Sequence, residues 1–386
     1  MLLYYVILCS LWAGVFGMQP ESITLDLGPQ LSNLASISVP NISNAGWWGV
    51  YGAPQPSVVV LMGNEEEVAM AILSRKRHPI PSLPFLAQSG GHGWAQTFHL
   101  GLDGLFISLR RNYWRGRNYL RYSFSSSRET SPLVFTGNCN CMGAALGTGN
   151  GNMMGSLGFG VDNILELKVV LEDGQSHTVT PADRNIFWAL AGAGVNCGIV
   201  TSATMKVYPF SPRSSRVAWY GRLGLYTDKI EAAIREINDD YLQPEMNIFL
   251  VLFTTGSPEH TPQLGVTVFY YESEVTGRQV FAPIFNVGVE EEEIAEIPYA
   301  QWNDATAGFC TPGGYISGYS AGLNRLDPEA WRLTWEEYAA FALRNGPGNS
   351  VIFLKAYAML ATPEMGSCLM RGRTGDCGVG TAMRLS

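Results

Sequence analysis

The chain has 386 residues, of which 46% are hydrophobic and 15% charged. This length suffices for two domains or one large one, and the low charge argues against intrinsic disorder. The formal net charge of −8 gives no general attraction to nucleic acid or anionic membranes, so we expect neither as a partner. The seven cysteines lack a regular framework, which argues against a disulfide-stapled scaffold and against a metal site.

The first 17 residues are apolar and end in small side chains, which is typical of a secretory signal peptide. Val15 and Gly17 suit the two positions that precede a cleavage site, although the usual basic residue near the start is absent. The sequon at residues 41–43 fits a secretory route. We therefore predict a secreted protein, or one of the endomembrane lumen; the alternative is that this segment forms a buried strand or helix.

The next part of the chain alternates between irregular and regular patterns. Residues 18–45 are polar and turn-rich, which predicts an irregular arm. Residues 57–92 have the pattern of a strand, a helix with Asn64 as its N-cap, a second strand and a Gly-rich loop. This order is typical of α/β nucleotide-binding architecture. Between residues 110 and 131, Arg and aromatic residues follow no period; we favour an irregular loop there over an RNA-binding patch.

The hydrophobic pattern changes twice in the second half of the chain. An Asp-Gly turn at residues 173–174 predicts a hairpin. Hydrophobic periodicity then predicts an α+β region, with strands at 165–172, 177–180, 199–208, 216–225, 246–254 and 265–271 and helices at 183–191, 228–241, 279–287 and 327–345. The last residues, 346–386, are aperiodic, which predicts an atypical tail without strands or helices.

Two reactive side chains lie in Gly-rich frames in the first half of the chain. His92 follows Ser89, Gly90 and Gly91 and precedes Gly93, and Cys139 lies in the segment 136–143 between Gly137 and Gly143. Glycines let a backbone approach a bulky anionic ligand closely and adopt positive φ at little cost. This arrangement suits a protein that cradles a cofactor with backbone N–H groups and then bonds to it covalently.

Three other motifs are weaker. The glycines around Gly192 suggest a dinucleotide fingerprint, but they follow a predicted helix instead of a strand, which disfavours a Rossmann site. The segment 318–322 matches the nucleophile-elbow pattern with Ser320 at its centre, but every His lies upstream of it; a serine hydrolase is a distant alternative to a Gly/Ser-rich turn. His92 and His99 lack the partners needed to bind a metal, so we predict no metal site.

Four separated motifs resemble those of FAD-linked oxidases. They occupy residues 85–94, 136–143, 158–164 and 187–200, and the match extends over roughly residues 45–345. The family they resemble is the berberine-bridge-enzyme-like branch of the vanillyl-alcohol oxidase (PCMH-type) superfamily, in its fungal form. The resemblance implies an α+β fold. It places a two-subdomain PCMH-type FAD-binding domain at 46–211 and a substrate domain with a large antiparallel sheet and helices at 212–345, before the tail at 346–386.

The resemblance also implies roles for individual residues. The loop of Ser89, Gly90, Gly91 and Gly93 would wrap the FAD pyrophosphate, His92 would carry an 8α-histidyl bond to the flavin, and Cys139 would carry a 6-S-cysteinyl bond. The residues expected to line the adenosine and ribityl path of FAD are Gly158, Val161, Asp162, Gly192, Gly194, Asn196, Gly198 and Val200.

The implied activity is that of a flavin-dependent oxidase. Such an enzyme transfers a hydride from an organic substrate, an alcohol or an activated C–H group, to FAD, and dioxygen reoxidises the flavin with release of hydrogen peroxide. The partners would be dioxygen and a small molecule: an oligosaccharide or an alkaloid-like or polyketide-like compound of secondary metabolism. The sequence does not identify the catalytic base: Tyr270 and Tyr271 lie on a predicted strand of the substrate domain, but a Tyr in a strand is more often a packing residue.

The chain departs from the family in residues 110–131, in a shortened tract from Gly143 to Gly151, and in its last segment. The family's last segment usually supplies a Tyr or Glu base near flavin N5, and residues 355–386 do not resemble it. An inactive or flavin-free relative, from a faulty gene model or a decayed gene, is therefore the alternative to an active oxidase.

Overall fold

The structure is a computed structural model. It describes residues 20–77, 84–91, 98–102, 104–109, 130–131, 141–206, 208–209, 217–238, 242–255, 259–298, 301–302, 313–323, 325–345, 350–358 and 379–385. The predicted signal peptide, most of the Arg-rich segment at residues 110–131, and the positions His92, Gly93 and Cys139 lie outside the described residues.

The first sheet has four strands, three of them parallel. Its strands are β1 (Ser36–Ser38), β2 (Val58–Leu61), β3 (Phe85–Gln88) and β4 (Leu105–Ser108), in the order β1-β2-β4-β3. The strands β2, β4 and β3 run parallel, and β1 pairs antiparallel with β2. The helices of this region are α1 (Pro20–Leu27), α2 (Ile42–Ala45) and α3 (Glu65–Arg77). Both faces of the sheet are covered, which explains the continuous apolar runs of β2 and β4.

Helix α1 lies in the segment for which an irregular arm was predicted, and β1 and α2 lie there too. That prediction is therefore wrong for residues 20–27, 36–38 and 42–45. Ile23 and Leu27 are four residues apart, on one face of the helix, and both are buried in the core of the first sheet. Two apolar residues give too weak a period for the sequence to indicate a helix. The tertiary contacts of those two side chains supply the stabilisation that the local pattern lacks.

The predicted N-cap of α3 is confirmed. Asn64 Oδ1 accepts a hydrogen bond from the Glu67 N–H at 3.0 Å, and Asn64 Nδ2 donates to Glu67 Oε1 at 3.2 Å. The Glu67 carboxylate also accepts from the backbone N–H groups of Ser32 and Gly63, at 2.9 and 2.5 Å. Burial acts to raise the pKa of Glu67, but these hydrogen bonds to the charged form outweigh it and hold the pKa below its usual value.

The second sheet is antiparallel and has three strands in the order β7-β6-β8. After the two-residue strand β5 (Thr130–Ser131) come the helices α4 (Cys141–Leu146), α5 (Met154–Leu157) and α6 (Arg184–Ala193) and the strands β6 (Ile164–Val170), β7 (Ser176–Val179) and β8 (Ile199–Met205). The predicted turn between β6 and β7 is confirmed, since the Gly174 N–H donates to the Leu171 carbonyl at 3.0 Å. A short strand β9 (Tyr208–Pro209) pairs with β5.

The large sheet is antiparallel throughout and has seven strands. They are β10 (Val217–Leu225), β11 (Met246–Thr254), β12 (Pro262–Tyr270), β13 (Val289–Pro298), β14 (Gly318–Leu323), β15 (Val351–Tyr357) and β16 (Val379–Leu385), in the order β13-β10-β12-β11-β15-β16-β14. The helices of this unit are α7 (Ile230–Asn238), α8 (Glu274–Val280), α9 (Ala282–Gly288) and α10 (Pro328–Asn345). The α+β class predicted from the sequence is confirmed.

The prediction that residues 346–386 contain no strand is wrong, because β15 and β16 complete the large sheet. Even-numbered residues of β15, such as Leu354 and Ala356, are buried against the helices, so the strand does alternate. The alternation is hard to see in the sequence because Lys355 lies between Leu354 and Ala356. The residues that follow β15 are also rich in Gly and Arg. The prediction also missed β13, an edge strand with four consecutive Glu residues, a residue type depleted in strands but useful on an exposed edge.

The single helix predicted at residues 279–287 is two helices, α8 and α9, which meet at Phe281. Phe281 is buried against Trp219 of β10, with ring centroids 5.5 Å apart. Pro283 lies in the first turn of α9, where its missing N–H costs nothing. The break therefore follows from a buried anchor and a helix-starting proline, two features that hydrophobic periodicity alone does not separate.

The two faces of the large sheet have different neighbours. On the outer face, Val266, Val268 and Tyr270 pack with the residues of α7, α9 and α10. On the inner face, Phe269 and Tyr357 join the hydrophobic cluster that contains the buried residues of α4, α5 and the second sheet. The inner face therefore forms the boundary between the large sheet and the rest of the chain.

Gly155 of α5 makes a close approach across this boundary. A Cβ atom at Gly155 would overlap the carbonyl oxygen of Pro244 and lie 2.9 Å from the Ala358 Cβ. We expect G155A to lower the free energy of unfolding by about 1–3 kcal/mol, the usual cost of overpacking. Thermal and urea unfolding would measure this. G147A is the matched control, because its Cβ would meet only ordinary contacts at 3.6 Å; equal loss in both variants would contradict the prediction.

Candidate cofactor and substrate site

The loop of Ser89, Gly90 and Gly91 begins where β3 ends, at the carboxyl edge of the first sheet. Gly91 has a φ of +78°, and its carbonyl oxygen accepts a hydrogen bond from the Trp48 N–H at 2.8 Å. Open α/β sheets bind ligands outside the carboxyl ends of their parallel strands. The structure therefore places this loop at the edge where a ligand of such a sheet is expected.

Two buried polar side chains lie beside this loop without a partner. Gln88 and Ser108 are the last residues of the parallel strands β3 and β4, and they are adjacent in register. Their exposed fractions are 7% and 0%, yet neither the Gln88 amide atoms nor the Ser108 hydroxyl makes a hydrogen bond. Leaving such groups unsatisfied costs about 1–3 kcal/mol each. Both residues therefore offer hydrogen-bonding capacity to a polar ligand at this edge.

Neither Gln88 nor Ser108 was predicted from the sequence to belong to a site. A signal was present, because each is the one polar residue that ends an otherwise apolar strand, Phe85–Gln88 and Leu105–Ser108. Only the parallel pairing of β3 with β4 brings the two side chains together.

The structure packs several of the other predicted site residues together around α4. In the turn that contains Gly158, Val161 and Asp162, the Val161 N–H donates to the Thr148 carbonyl at 3.0 Å, which ties the turn to the end of α4. Gly158 has a φ of +77°. The Asp162 carboxylate accepts a hydrogen bond from the Phe159 N–H at 3.0 Å, and burial raises the pKa of Asp162 above its usual value. Asp162 thus stabilises its own turn.

The second turn in this group contains Gly192, Gly194, Asn196 and Gly198. Helix α6 is kinked at Gly192, whose φ of +136° is one that other residues rarely adopt. A Cβ at Gly194 would lie 2.9 Å from the Leu146 side chain, so this turn packs directly on α4. Asn196 is exposed, and Val200 is buried in β8. Helix α4 begins two residues after Cys139, which itself lies outside the described residues. The roles of both turns in cofactor binding stay predictions.

The inner face of the large sheet carries the polar and aromatic side chains nearest to this group. Phe249 and Tyr357 make an edge-to-face contact, with ring centroids 5.5 Å apart. Asn247 of β11 donates from Nδ2 to the carbonyl of Asn152, in the Gly-rich tract between α4 and α5, at 2.8 Å. Lys355 lies on the same face, with Nζ 5.7 Å from the Phe249 ring centroid. None of these residues was predicted from the sequence to belong to a site.

Tyr270 and Tyr271 lie on opposite sides of the large sheet. Tyr270 is buried on the outer face among the helices, so it points away from the region of α4. Tyr271 is buried on the other side, in an edge-to-face contact with Trp302 at 5.0 Å. Tyr270 is therefore a packing residue.

Ser320 lies in the middle of β14, paired with Met383 of β16. A nucleophile elbow needs a sharp turn between a strand and a helix, which a residue inside an antiparallel ladder does not provide. The serine-hydrolase alternative is therefore wrong.

Among the residues that the structure describes, no group of three or more His, Cys, Asp or Glu side chains is arranged to hold a metal ion. Within the same ranges, none of the helices combines the length and the apolar character needed to cross a membrane.

No family model matches the chain. Its sequence is 29% identical over 339 residues to the FAD-linked oxidoreductase OXR1 of Pyricularia oryzae, a match that covers 82% of this chain and 65% of that protein. The chain thus spans just under two thirds of that relative's length.

Two solved structures share the fold. The xylooligosaccharide oxidase of Myceliophthora thermophila superposes with a TM-score of 0.72 at 17% identity, over 94% of this chain and 83% of the oxidase. The glucooligosaccharide oxidase of Acremonium strictum, whose FAD is described as 6-S-cysteinyl and 8α-N1-histidyl, gives 0.70 at 14% identity, over 94% and 81%.

The fold, in which the three-stranded sheet packs against the inner face of a large antiparallel sheet, is shared with the PCMH-type flavoprotein oxidases. The chain is similar in sequence to fungal FAD-linked oxidoreductases and shares its fold with solved oxidases and with a berberine-bridge-enzyme-like protein, in agreement with the resemblance of its motifs.

Proposed function

We propose that this protein is an FAD-dependent oxidase that holds its cofactor covalently through His92 and Cys139. One observation carries the proposal: two buried, unpaired polar side chains, Gln88 and Ser108, end adjacent parallel strands, and the loop that leads to His92 directly follows Gln88. A phosphate-bearing cofactor at this edge would satisfy both. The residues present therefore fit FAD.

The protein's part in the reaction is to bind and orient. Backbone N–H groups of the Ser89–Gly93 loop would hold the pyrophosphate, and the turns at residues 158–162 and 192–198 would line the path of the adenosine and ribityl groups. Two covalent bonds would align the cofactor against the inner face of the large sheet before any substrate binds. When bound, the flavin would accept a hydride from the substrate and pass two electrons to dioxygen, which leaves as hydrogen peroxide.

This proposal assigns residues 46–211 to FAD binding and the large sheet with its helices to the substrate. The substrate would be a small alcohol or a compound with an activated C–H group. The apolar residues 1–17 and the sequon at 41–43 support secretion.

A visible absorption spectrum of the purified full chain, before and after acid precipitation, tests the cofactor assignment. We expect flavin absorbance that stays with the precipitated protein. Hydrogen peroxide release on turnover of an alcohol library would then test the oxidase activity. A colourless protein would overturn the proposal and favour a flavin-free relative.

A further inference from the structure

Lys355 is the one lysine on the inner face of the large sheet among the described residues. It lies at the centre of β15, opposite Phe249 of β11 and Thr381 of β16. Its Nζ atom is 5.7 Å from the Phe249 ring centroid and 5.8 Å from that of Phe353. Within the part of the chain that the structure describes, no carboxylate lies within ion-pair distance of this ammonium group, unlike that of Lys229.

An ammonium group in this position is not fully stabilised by the protein. Burial lowers the pKa of Lys355, which shows that its charged form is desolvated. Contacts with two aromatic rings offset only part of the cost of desolvating this charge. The residue as a whole is half-buried, and its amine lies beside the rings of Phe249 and Phe353.

A second polar group on this face also lacks a partner. Asn247 is buried, and its Oδ1 atom accepts no hydrogen bond while Nδ2 is held by Asn152. Asn247 pairs with Tyr357 in register, and Phe249, two residues further along β11, pairs with Lys355. An unpaired acceptor and an unpaired cation therefore lie on neighbouring positions of one face, beside the aromatic rings of Phe249 and Tyr357.

We propose that Lys355 binds a carboxylate on the substrate and that Asn247 Oδ1 accepts a hydrogen bond from a hydroxyl group of the same molecule. The substrate class is then a hydroxylated aromatic acid, because the rings of Phe249, Phe353 and Tyr357 suit a flat apolar body between the two polar groups. The inference rests on the proposed function only for its choice of this face as the substrate site. It concerns specificity and assigns Lys355 no part in hydride transfer.

Binding of two matched probes tests this inference. 4-Hydroxybenzoate and 4-hydroxybenzamide have the same ring and hydroxyl group and differ in charge at one end. Isothermal titration calorimetry of the full chain needs neither turnover nor flavin. We expect the acid to bind at least about tenfold more tightly than the amide, the effect of one charge-assisted hydrogen bond. We expect K355M to lose this preference and K355R to keep part of it.

K229M is the control, since Lys229 pairs with Asp228 on the surface of the same unit, with Nζ 3.5 Å from a carboxylate oxygen. It should keep the preference of the unmodified chain. Equal affinity for acid and amide, binding of neither, or an unchanged preference in K355M would overturn the inference. Circular dichroism of each variant verifies its fold. If K355M does not fold, the acid and amide affinities of K355R are compared with those of the unmodified chain instead. The flavin spectrum of the same samples reports separately on the proposed cofactor.

Discussion

Removing both His92 and Cys139 is expected to release all flavin from the denatured protein. In H92A and in C139A, one covalent bond remains, so flavin should stay with the acid-precipitated chain. In the double variant no bond is left, and the bound fraction should fall from nearly all to none. The result follows because denaturation abolishes every non-covalent contact with the cofactor and leaves only the bonds.

Absorbance of the precipitate and mass spectrometry of its peptides would measure this effect. The matched control is C197A, because Cys197 is a free thiol that is half-buried and donates a hydrogen bond to the Ala193 carbonyl at 3.6 Å. It should retain flavin fully on two labelled peptides. Flavin retained by the denatured double variant would contradict the assignment of these two residues and point to another attachment site.

Trp219 is expected to be the position in the large sheet where truncation is most destabilising. It is fully buried between the sheet and the helices, with ring centroids 5.5 Å from Phe281 and 6.2 Å from Phe285. The guanidinium carbon of Arg278 lies 5.8 Å from its ring. We expect W219A to lower the free energy of unfolding by about 3–5 kcal/mol, since it leaves a cavity in a packed core.

Urea unfolding would measure this change, and a second substitution makes the test sharper. The indole N–H of Trp219 has no hydrogen-bond partner, so W219F removes an unsatisfied donor while it keeps most ring contacts. Its loss of stability should be clearly smaller than that of W219A. W188A is the control, because Trp188 is 44% exposed, and it should change stability by less than about 0.5 kcal/mol. Similar losses in W188A and W219A would contradict the prediction.

Local chemistry explains which elements the sequence could predict. The cap at Asn64 and the turn before Gln175 need only side chains within three or four residues of each other, and both are present as predicted. Strand β11 was predicted with its bounds at residues 246 and 254, because every second side chain is apolar and buried on one face. Such elements carry their own signal.

Elements whose stability comes from distant neighbours were missed. No clean hydrophobic period marks helix α1, the acidic strand β13 or the strand β16. Helix α1 packs on the first sheet, and the two strands pair with β10 and β15. The same holds for Ser320, where the local motif suggested a turn but pairing with β16 makes a strand. Pairing between strands that are far apart in sequence cannot be predicted from the pattern of about ten consecutive residues.

The sequence by itself indicated the resemblance to FAD-linked oxidases, the α+β class and the glycine turns, because those depend on residue types in fixed short spacings. Only the tertiary structure decided which side chains share a surface. It placed Gln88 beside Ser108 through parallel pairing, turned Tyr270 towards the helices, and set Lys355 between two rings opposite β11. The physical reason is that strand register and burial are properties of contacts between segments, and a single segment does not encode its partner.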